Sequence, residues 1–477
     1  MNILSQFNEI LEKSFNNFLK KYYLSSNYWE KTNDINNYYN FMNDLDSFNY
    51  SFITNIITHY LEYIDEVFFN TSYRKNFCES KGFYKRTILT LFGEITYKRR
   101  YYYDKKYKDR FYFTDYFLNF PKRKYFDPFI CAEICNEASS SSYSKSGKIV
   151  ASKIGKRINN EFKISRATSR NIVMNFNIED EQTYDNKKLD RLYIMLDEKF
   201  VGSQFNNGDD HMIKAAVIFE DTKLVYKTKR KNNSMKRYEL VNSHTCASIE
   251  NKLLSDTLDY IYYNYDTENL KEINFMGDCA LWIKNFPKSQ WFKYNENIKI
   301  NFAMDGFHFS QALLNLTTNE YKDVYDELYN YVLNNDKLGF TTLCNQFLEL
   351  FPERQEIIED KRDYILNNWN ERQLYQNSPH MRCSMESHIS HIFADLFTSR
   401  PKSYSKPGLK QLLKLRLLKV NKIDIKQKYL NSLIKFKTIN NFQDNSLSNK
   451  KNNYDFGKAF IDNYFNKTRD NFINYLI

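Results

Sequence analysis

The sequence predicts an α/β protein, and three observations carry the prediction. Apolar strand patterns and amphipathic helical patterns alternate between residues 190 and 310. Acids close three of those strand patterns: Asp197 after RLYIML, Asp278 after EINFMG and Asp305 after IKINFAM. A helical stretch over 311–375 separates this region from one further amphipathic helix, which carries Glu386 in its first turn.

The bulk properties set the frame. A chain of 477 residues implies two to four domains at roughly 100–200 residues each. Its 42% hydrophobic content can fill a sizeable core, and 11 glycines and 7 prolines exclude collagen-like and linker-like classes. The 69 basic and 58 acidic residues leave a net charge of +11. Asn, Lys, Ile, Tyr and Phe all have A/T-rich codons, so nucleotide composition explains the aromatic and lysine bias, and the location of charge is more informative than its total. Seven cysteines, an odd number without a CxxC, argue against a disulfide framework and for a reducing cytoplasm. Cys383, His388 and His391 lie close together, but a fourth zinc ligand at a usual spacing is missing. No apolar run reaches the ~18–20 residues needed to cross a bilayer, so no membrane partner is expected.

The first segment, 1–118, reads as helices followed by a hairpin. Ile3, Phe7, Ile10, Leu11, Phe15 and Phe18 recur at helical spacing, and a second helix is expected around Ile53–Phe69. RTILTLFGEITYKRRYYY then alternates strand formers about Gly93, which predicts a β-hairpin over Arg86–Tyr103. Its exit, residues 98–110, holds seven basic and two acidic side chains, among them Lys98, Arg99 and Arg100.

The next segment, 119–184, follows helix-turn-helix grammar. One helix carries Ile149, Val150 and Ile154; Ser165 then caps a second. Eight basic residues and one acid fall between Lys145 and Arg170. A solvated helical pair would look the same. As a DNA-docking element, Lys148, Lys153, Arg157, Arg166 and Arg170 would replace phosphate counterions.

The core, 185–310, reads β-β-β-α-β-α-β. Its strands are RLYIMLD, residues 211–219, residues 223–228, EINFMGD and IKINFAMD, with a helix over Ser248–Tyr263. That order fits a ribonuclease-H-like core, and acids beyond the carboxyl ends of such strands face a shared crevice. Each acid taken alone is equally an ordinary loop residue or helix cap. A helical insertion, 311–378, interrupts the core. In 379–420, Ile389, Ile392, Phe393, Leu396 and Phe397 share one helix face, which aims Glu386 back at the sheet. Pro401, Pro407 and Gly408 break the chain before a basic helix from about Leu409. Ten basic residues and one acid lie between Arg400 and Lys428; Arg400, Lys402, Lys410, Lys414 and Arg416 read as a phosphate-backbone track. The tail, 421–477, is Asn/Lys-rich and uninformative.

Three gathered carboxylates repel unless a cation neutralises them. Asp197, Asp278 and Glu386 together suit hard divalent ions, which prefer carboxylate oxygen and bind substrate phosphates. Two Mg²⁺ ions, with Mn²⁺ as a substitute, would activate a nucleophile and stabilise the leaving oxygen of a phosphodiester. Water as nucleophile gives cleavage; a DNA 3′-hydroxyl gives strand transfer. No GxxxxGK[ST], HExxH or GxSxG is present.

At these residues the chain resembles the DDE transposases of bacterial insertion sequences of the ISLre type, catalogued in part as an uncharacterised protein family. The matching stretches are TLFGEITYKRRYYYD (90–104), LYIMLDEKFV (192–201), GDCALWIKN (277–285), MDGFHFSQAL (304–313) and SMESHISHIFADLFTSRPKSYSKPGLKQLLKLR (384–416). The resemblance implies a ribonuclease-H-like catalytic domain with a helical insertion. Asp197, Asp278 and Glu386 would form the catalytic, metal-binding triad, with Asp305 and His308 in supporting roles. It further implies double-stranded DNA as partner, both element ends and target; synapsis of two ends would need a homo-oligomer when DNA is bound, and the lack of a spanning run or a signal-peptide pattern predicts a cytoplasmic, nucleoid-associated protein. Two positions depart from the pattern: Cys279 stands where Gly is usual, and Gln311 where a basic residue is common. A catalytically inactive DNA-binding protein derived from a transposase is the alternative, and a metal nuclease without strand transfer a third.

Overall fold

The computed structural model describes residues 35–433, apart from 159–161, 180–183, 205–209, 231–232, 296, 379–389 and 399–401, together with residues 9, 12–13, 15–16 and 18–20. The chain divides into two compact units, Met1–Glu179 with Asp424–Ile477, and Asp180–Ile423. No helix among the described residues is long and apolar enough to cross a membrane.

In the first unit, helix α1 (Ile35–Asn70) runs unbroken through the expected second helix. Leu61, Ile64 and Phe68 fall on one face and are buried. Strands β1 (Cys78–Thr90) and β2 (Gly93–Asp104) form the predicted hairpin, extended at both ends, and β3 (Asp109–Tyr112) adds a third strand. Gly93 has φ +124°, the left-handed backbone that glycine supplies without a Cβ penalty. Tyr97 and Tyr102 on β2 are fully buried.

Three helices follow: α2 (Pro128–Ala138), α3 (Tyr143–Ile158) and α4 (Arg166–Met174). Val150 and Ile154 of α3 are fully buried beside Ile130 and Ile134 of α2. The expected cap is present: Ser165 Oγ accepts from Thr168 N at 3.0 Å. Part of the supposedly uninformative tail belongs to this unit. Residues 425–433 are helical, and Tyr429 packs its ring 5.1 Å from Phe176.

Asp127 caps α2, accepting from Ile130 N at 2.7 Å. Burial pushes its carboxyl up to about 7, against the backbone N–H bonds of Ile130 and Phe129. The folded protein therefore holds this proton more tightly than the unfolded chain. Stability from this group is greatest below pH ~4 and is lost as pH rises to about 7. Asp127→Asn keeps the cap and removes the buried charge. It is expected to stabilise this unit by about 2 kcal/mol at pH 8, with the gain fading toward pH 4. Denaturant midpoints across pH measure this.

The second unit is built on a mixed sheet of β4 (Arg191–Ser203), β5 (His211–Phe219), β8 (His244–Ser248), β9 (Glu272–Gly277) and β10 (Lys299–Met304). The strand order is β10-β9-β4-β5-β8, with β4, β9 and β10 parallel and β5 antiparallel to both β4 and β8. Helix α5 (Leu253–Asn264) buries Leu253 and Ile261 against Leu192, Ile194 and Phe275, and the short helix α6 (Leu281–Asn285) follows β9. One strand assignment is corrected. Residues 223–228 lie outside the sheet, in a two-stranded ribbon of β6 (Asp221–Arg230) and β7 (Asn233–Val241). The third sheet strand is β8. Alternation predicts extension, but it does not say which strand is the partner.

The insertion is helical as expected: α7 (Gly306–Thr317), α8 (Lys322–Leu333), α9 (Lys337–Leu350), α10 (Gln355–Asn367) and α11 (Trp369–Asn377). Leu313, Leu328, Phe340, Ile358 and Trp369 share its core. Further on, Ile392, Phe393, Leu396 and Phe397 are buried as predicted, but Ser390–Ala394 forms a wider π-helical turn before Asp395–Phe397. Helix α12 (Lys406–Val420) starts earlier than expected. Pro407 sits in its first turn, where a missing N–H costs nothing, and Ser405 caps it. Strand β11 (Ser403–Tyr404) pairs with the end of β4.

Candidate metal centre

Asp197 sits within β4, not at its end as the sequence suggested. Parallel pairing with β9 stops at Met195, and β4 then continues against β5 alone, with Asp197 opposite Ala215. The acid therefore lies beside the carboxyl end of β9 while its own strand runs on. It is 6% exposed, and its Oδ1 accepts from Glu198 N at 2.7 Å.

Asp278 follows directly on Gly277, the last residue of β9. Its Oδ1 accepts from Ala280 N at 2.9 Å, and its carbonyl accepts from the Tyr364 hydroxyl at 2.5 Å. Burial raises the pKa of Tyr364, so the phenol keeps its proton and donates. Tyr364 lies on α10, and no spacing in the sequence signals this long-range contact.

Asp305 caps α7. Its Oδ1 accepts from Phe307 N at 2.9 Å, its Oδ2 bonds His308 Nδ1 at 3.0 Å, and its N–H donates to Gly277 O at 2.8 Å. It is 2% exposed and ties the two acid-bearing loops together. A carboxylate only accepts, so Nδ1 carries the proton and Nε2 keeps the lone pair. Burial opposes the imidazolium charge, but the Asp305 hydrogen bond and the carboxylates of Asp305, Asp278 and Asp197 outweigh it and raise the His308 pKa.

One ligand atom each from Asp197, Asp278 and His308 lies within 4.8 Å of the others. This group can hold a metal ion. The donors, two hard carboxylates and an imidazole whose far nitrogen is held by a carboxylate, fit a divalent cation. His308, expected in support, thus belongs to the cluster itself, while Asp305 supports it. Glu386 lies outside the described residues.

Two further groups escaped sequence reasoning. The Trp282 indole donates to the Glu198 carboxylate, next to Asp197, and Lys214 Nζ stands 5.1 Å from the Trp282 ring. Tyr375 of α11 presses its ring on Gly306, where a Cβ would stand 2.7 Å from its hydroxyl.

The expected DNA-contacting cations divide into two groups. Lys98, Lys148, Arg166 and Arg170 are exposed. Others are committed to the protein. Arg99 pairs with Asp115 and lies 3.7 Å over the Tyr112 ring. Arg100 pairs with Asp65 and Glu66 at 2.8 and 2.6 Å. Lys153 pairs with Glu133 and Glu137 at 2.5 and 2.9 Å. Lys410 pairs with Glu250 at 2.8 Å, Lys402 donates to Leu396 O at 2.7 Å, and Arg416 donates to Ile392 O at 2.6 Å. Lys414 is half-buried on α12, Arg157 lies in the last turn of α3, and Arg400 falls outside the described residues. A tract of cations in sequence is thus, in part, a set of internal fasteners. Arg99→Ala is accordingly expected to destabilise the first unit by about 1–2 kcal/mol, a modest loss because Asp115 keeps Arg86 at 2.6 Å. Thermal melts of the two proteins check this.

The model of a family described as "Uncharacterised protein family (UPF0236)" matches residues 42–432. Among curated proteins, two from Caldanaerobacter subterraneus subsp. tengcongensis are similar. One UPF0236 protein is 27% identical over 351 residues, 72% of this chain and 69% of its own length. A second is 28% identical over 351 residues, covering 72% of this chain and 66% of its own length. The name of the first joins eleven locus designations.

Proposed function

The chain belongs to the uncharacterised protein family UPF0236, and from that premise and the Asp197–Asp278–His308 cluster we propose that it is a DNA transposase of an insertion sequence. It would cleave phosphodiesters at the element's terminal inverted repeats with divalent metal, and transfer the strand ends to target DNA. What carries the proposal is the meeting of two carboxylates and an imidazole, from strand β4, the loop after β9 and the first turn of α7, beside the carboxyl end of β9. The strand order supports a ribonuclease-H-like core: three antiparallel strands, β8-β5-β4, continued by the parallel pair β9-β10. A relative whose name joins eleven loci also suits an element that copies itself.

Asp197, Asp278 and His308 would hold the metal, and Asp305 would keep the imidazole in the ligating tautomer. Divalent ions bound there would activate the attacking oxygen and stabilise the leaving one. Tyr364 fixes the peptide that carries Asp278, so the carboxylate keeps its place as substrate phosphate arrives. The test is a nicking assay on a duplex bearing the gene's own flanking end sequences, with Mg²⁺ or Mn²⁺ against EDTA. Metal-dependent cuts at the element end are expected; specific binding without cleavage in any metal would overturn the catalytic reading.

One observation favours the inactive DNA-binding protein as a second reading. Cys279, next to Asp278, has φ +68°, a backbone better suited to glycine. Such a residue is what drift in a decaying copy would leave. Its side chain is nonetheless 8% exposed and packs with Met304 and Phe309. Cys279→Gly is expected to change stability by less than ~1 kcal/mol, as relief of backbone strain offsets lost packing, and to raise cleavage if the strain misplaces Asp278. A rate comparison between the two proteins decides it.

A further inference from the structure

We propose that the tyrosine-bearing face of the β1–β2–β3 sheet is a stacking platform for unpaired DNA bases. Side chains directly opposite in a strand pair share a face, as do residues two apart along a strand. The register sets Tyr84 opposite Arg99, Tyr101 opposite Tyr112 and Tyr103 opposite Arg110, so these six side chains lie together. The other face is occupied, with Tyr102 and Phe111 packed on Phe68 of α1. Tyr84 is 48% exposed, Arg110 is exposed, and Tyr101, Tyr103 and Tyr112 are half-buried.

The rings brace one another. Tyr84 stands edge-on to Tyr101 and Tyr112 at 5.8 and 6.0 Å, and Tyr101 and Tyr112 are 4.8 Å apart. The Arg99 guanidinium lies over the Tyr112 ring and is itself tied to Asp115, while Arg110 stands 6.0 Å from the Tyr103 ring. A bulge between Ser80 and Phe83 falls beside Tyr101. It holds Gly82, φ +105°, where an added Cβ would meet nothing within 4 Å, so the sheet is open at that point.

Cross-strand aromatic pairs stabilise any sheet. That accounts for the meeting of Tyr101 and Tyr112, but not for the Tyr84 ring left half in solvent, nor for the charge. The acids that reach this face are each held by two cations: Glu79 by Lys81 and Lys105 at 2.6 and 2.9 Å, and Asp115 by Arg86 and Arg99. Arg110 and the turn residues Lys106 and Lys108 are exposed. An acidic protein surface would meet these cations and leave the rings unused. A duplex presents phosphates but hides its base faces in the stack. An unpaired strand uses both, bases on the rings and phosphates on the cations. From β1 to β3 the platform measures about 10 Å at ~4.8 Å between strands, room for two or three bases.

The inference rests on the DNA-processing reading, since strand cleavage is what exposes unpaired nucleotides, but its readout is binding and not cleavage. Full-length protein in EDTA would be titrated with fluorescent oligothymidylate of about 12 nucleotides, which forms no pairs, and with a duplex. Tyr84→Leu, Tyr101→Leu and Tyr112→Leu combined keep apolar bulk and lose the π-faces; the same positions changed to Phe keep them. The Leu variant is expected to bind oligothymidylate at least about tenfold more weakly, and the Phe variant within about twofold of wild type. The salt slope should hold in both, because no charge is altered. Melting temperatures show that the variants fold; if the triple Leu variant does not, Tyr84→Leu alone carries the test, with an expected loss of about fivefold. Undiminished binding in the Leu variants, or no binding of oligothymidylate by wild type, would overturn the proposal. So would an equal loss on the duplex, which would make the face a duplex contact, or tighter binding of oligouridylate, which would make RNA the occupant. If the platform binds as expected but wild type never cuts an element end, the platform stands and the transposase reading falls.

Discussion

Asp278→Asn is expected to slow metal-dependent DNA cleavage by about 10³-fold or more, since the metal contributes several kcal/mol to the reaction. The substitution is close to isosteric. Asn retains an oxygen to accept from Ala280 N, and the Tyr364 bond runs to the backbone carbonyl, so both local ties survive. What disappears is one negative charge facing Asp197 and His308. The variant should therefore melt like the wild type, bind duplex with the same salt dependence, and bind Mn²⁺ more weakly. Calorimetric titration with Mn²⁺ and a single-turnover nicking assay measure these separately. Wild-type cleavage in the variant would remove Asp278 from the proposed site and, with it, the case for metal-dependent chemistry beside the carboxyl end of β9.

The second large effect belongs to Gly277→Ala. Replacing glycine by alanine often stabilises a protein, because the unfolded chain loses freedom. Here a Cβ would stand 2.9 Å from Leu196 O and 2.8 Å from Ile283 Cγ2. The first contact is backbone, so relief requires β9 to part from β4. A loss of about 2–3 kcal/mol is expected, as for overpacked cores. The loss should also reach the site. Leu196 precedes Asp197 and Gly277 precedes Asp278, so the close approach of these two residues is what sets the two carboxylates side by side. Denaturant unfolding and Mn²⁺ affinity should fall together. A neutral or stabilised variant would show that the strands have slack there, and that the carboxylate spacing is set elsewhere.

Much of this arrangement was legible in the sequence, for identifiable reasons. Asp197, Asp278 and Asp305 stood out because each closes an apolar strand pattern, and the helical insertion because its apolar spacing is long and regular. Ser165 was legible as a cap because capping is local chemistry. What escaped depends on partners far along the chain. The continuation of β4 past Asp197 is dictated by β5, which no pattern near Asp197 reveals. The ribbon strand over 223–228 has the alternation of a sheet strand, and only its register with β7 places it outside the sheet. His308 was weighed as an accessory because an isolated histidine carries little signal; its contact with Asp305 and the two other acids gives it a larger part. Arg99, Arg100, Lys153 and Lys410 read as a charged surface because their acidic partners lie 16 to 160 residues away.

The first compact unit is discontinuous: residues 425–433 return to it after the whole of the second unit has been made. On the ribosome, then, the N-terminal unit waits. Tyr429 cannot reach Phe176, nor Lys426 reach Glu133, until the intervening segment Asp180–Ile423 has been translated. At about 5–20 residues per second that delay lasts tens of seconds. During that interval α2 and its neighbours lack the helix over 425–433, and a message truncated before it would yield a first unit without that packing. The packing of Tyr429 and Lys426 on the first unit is therefore present only in chains that already contain the acid cluster.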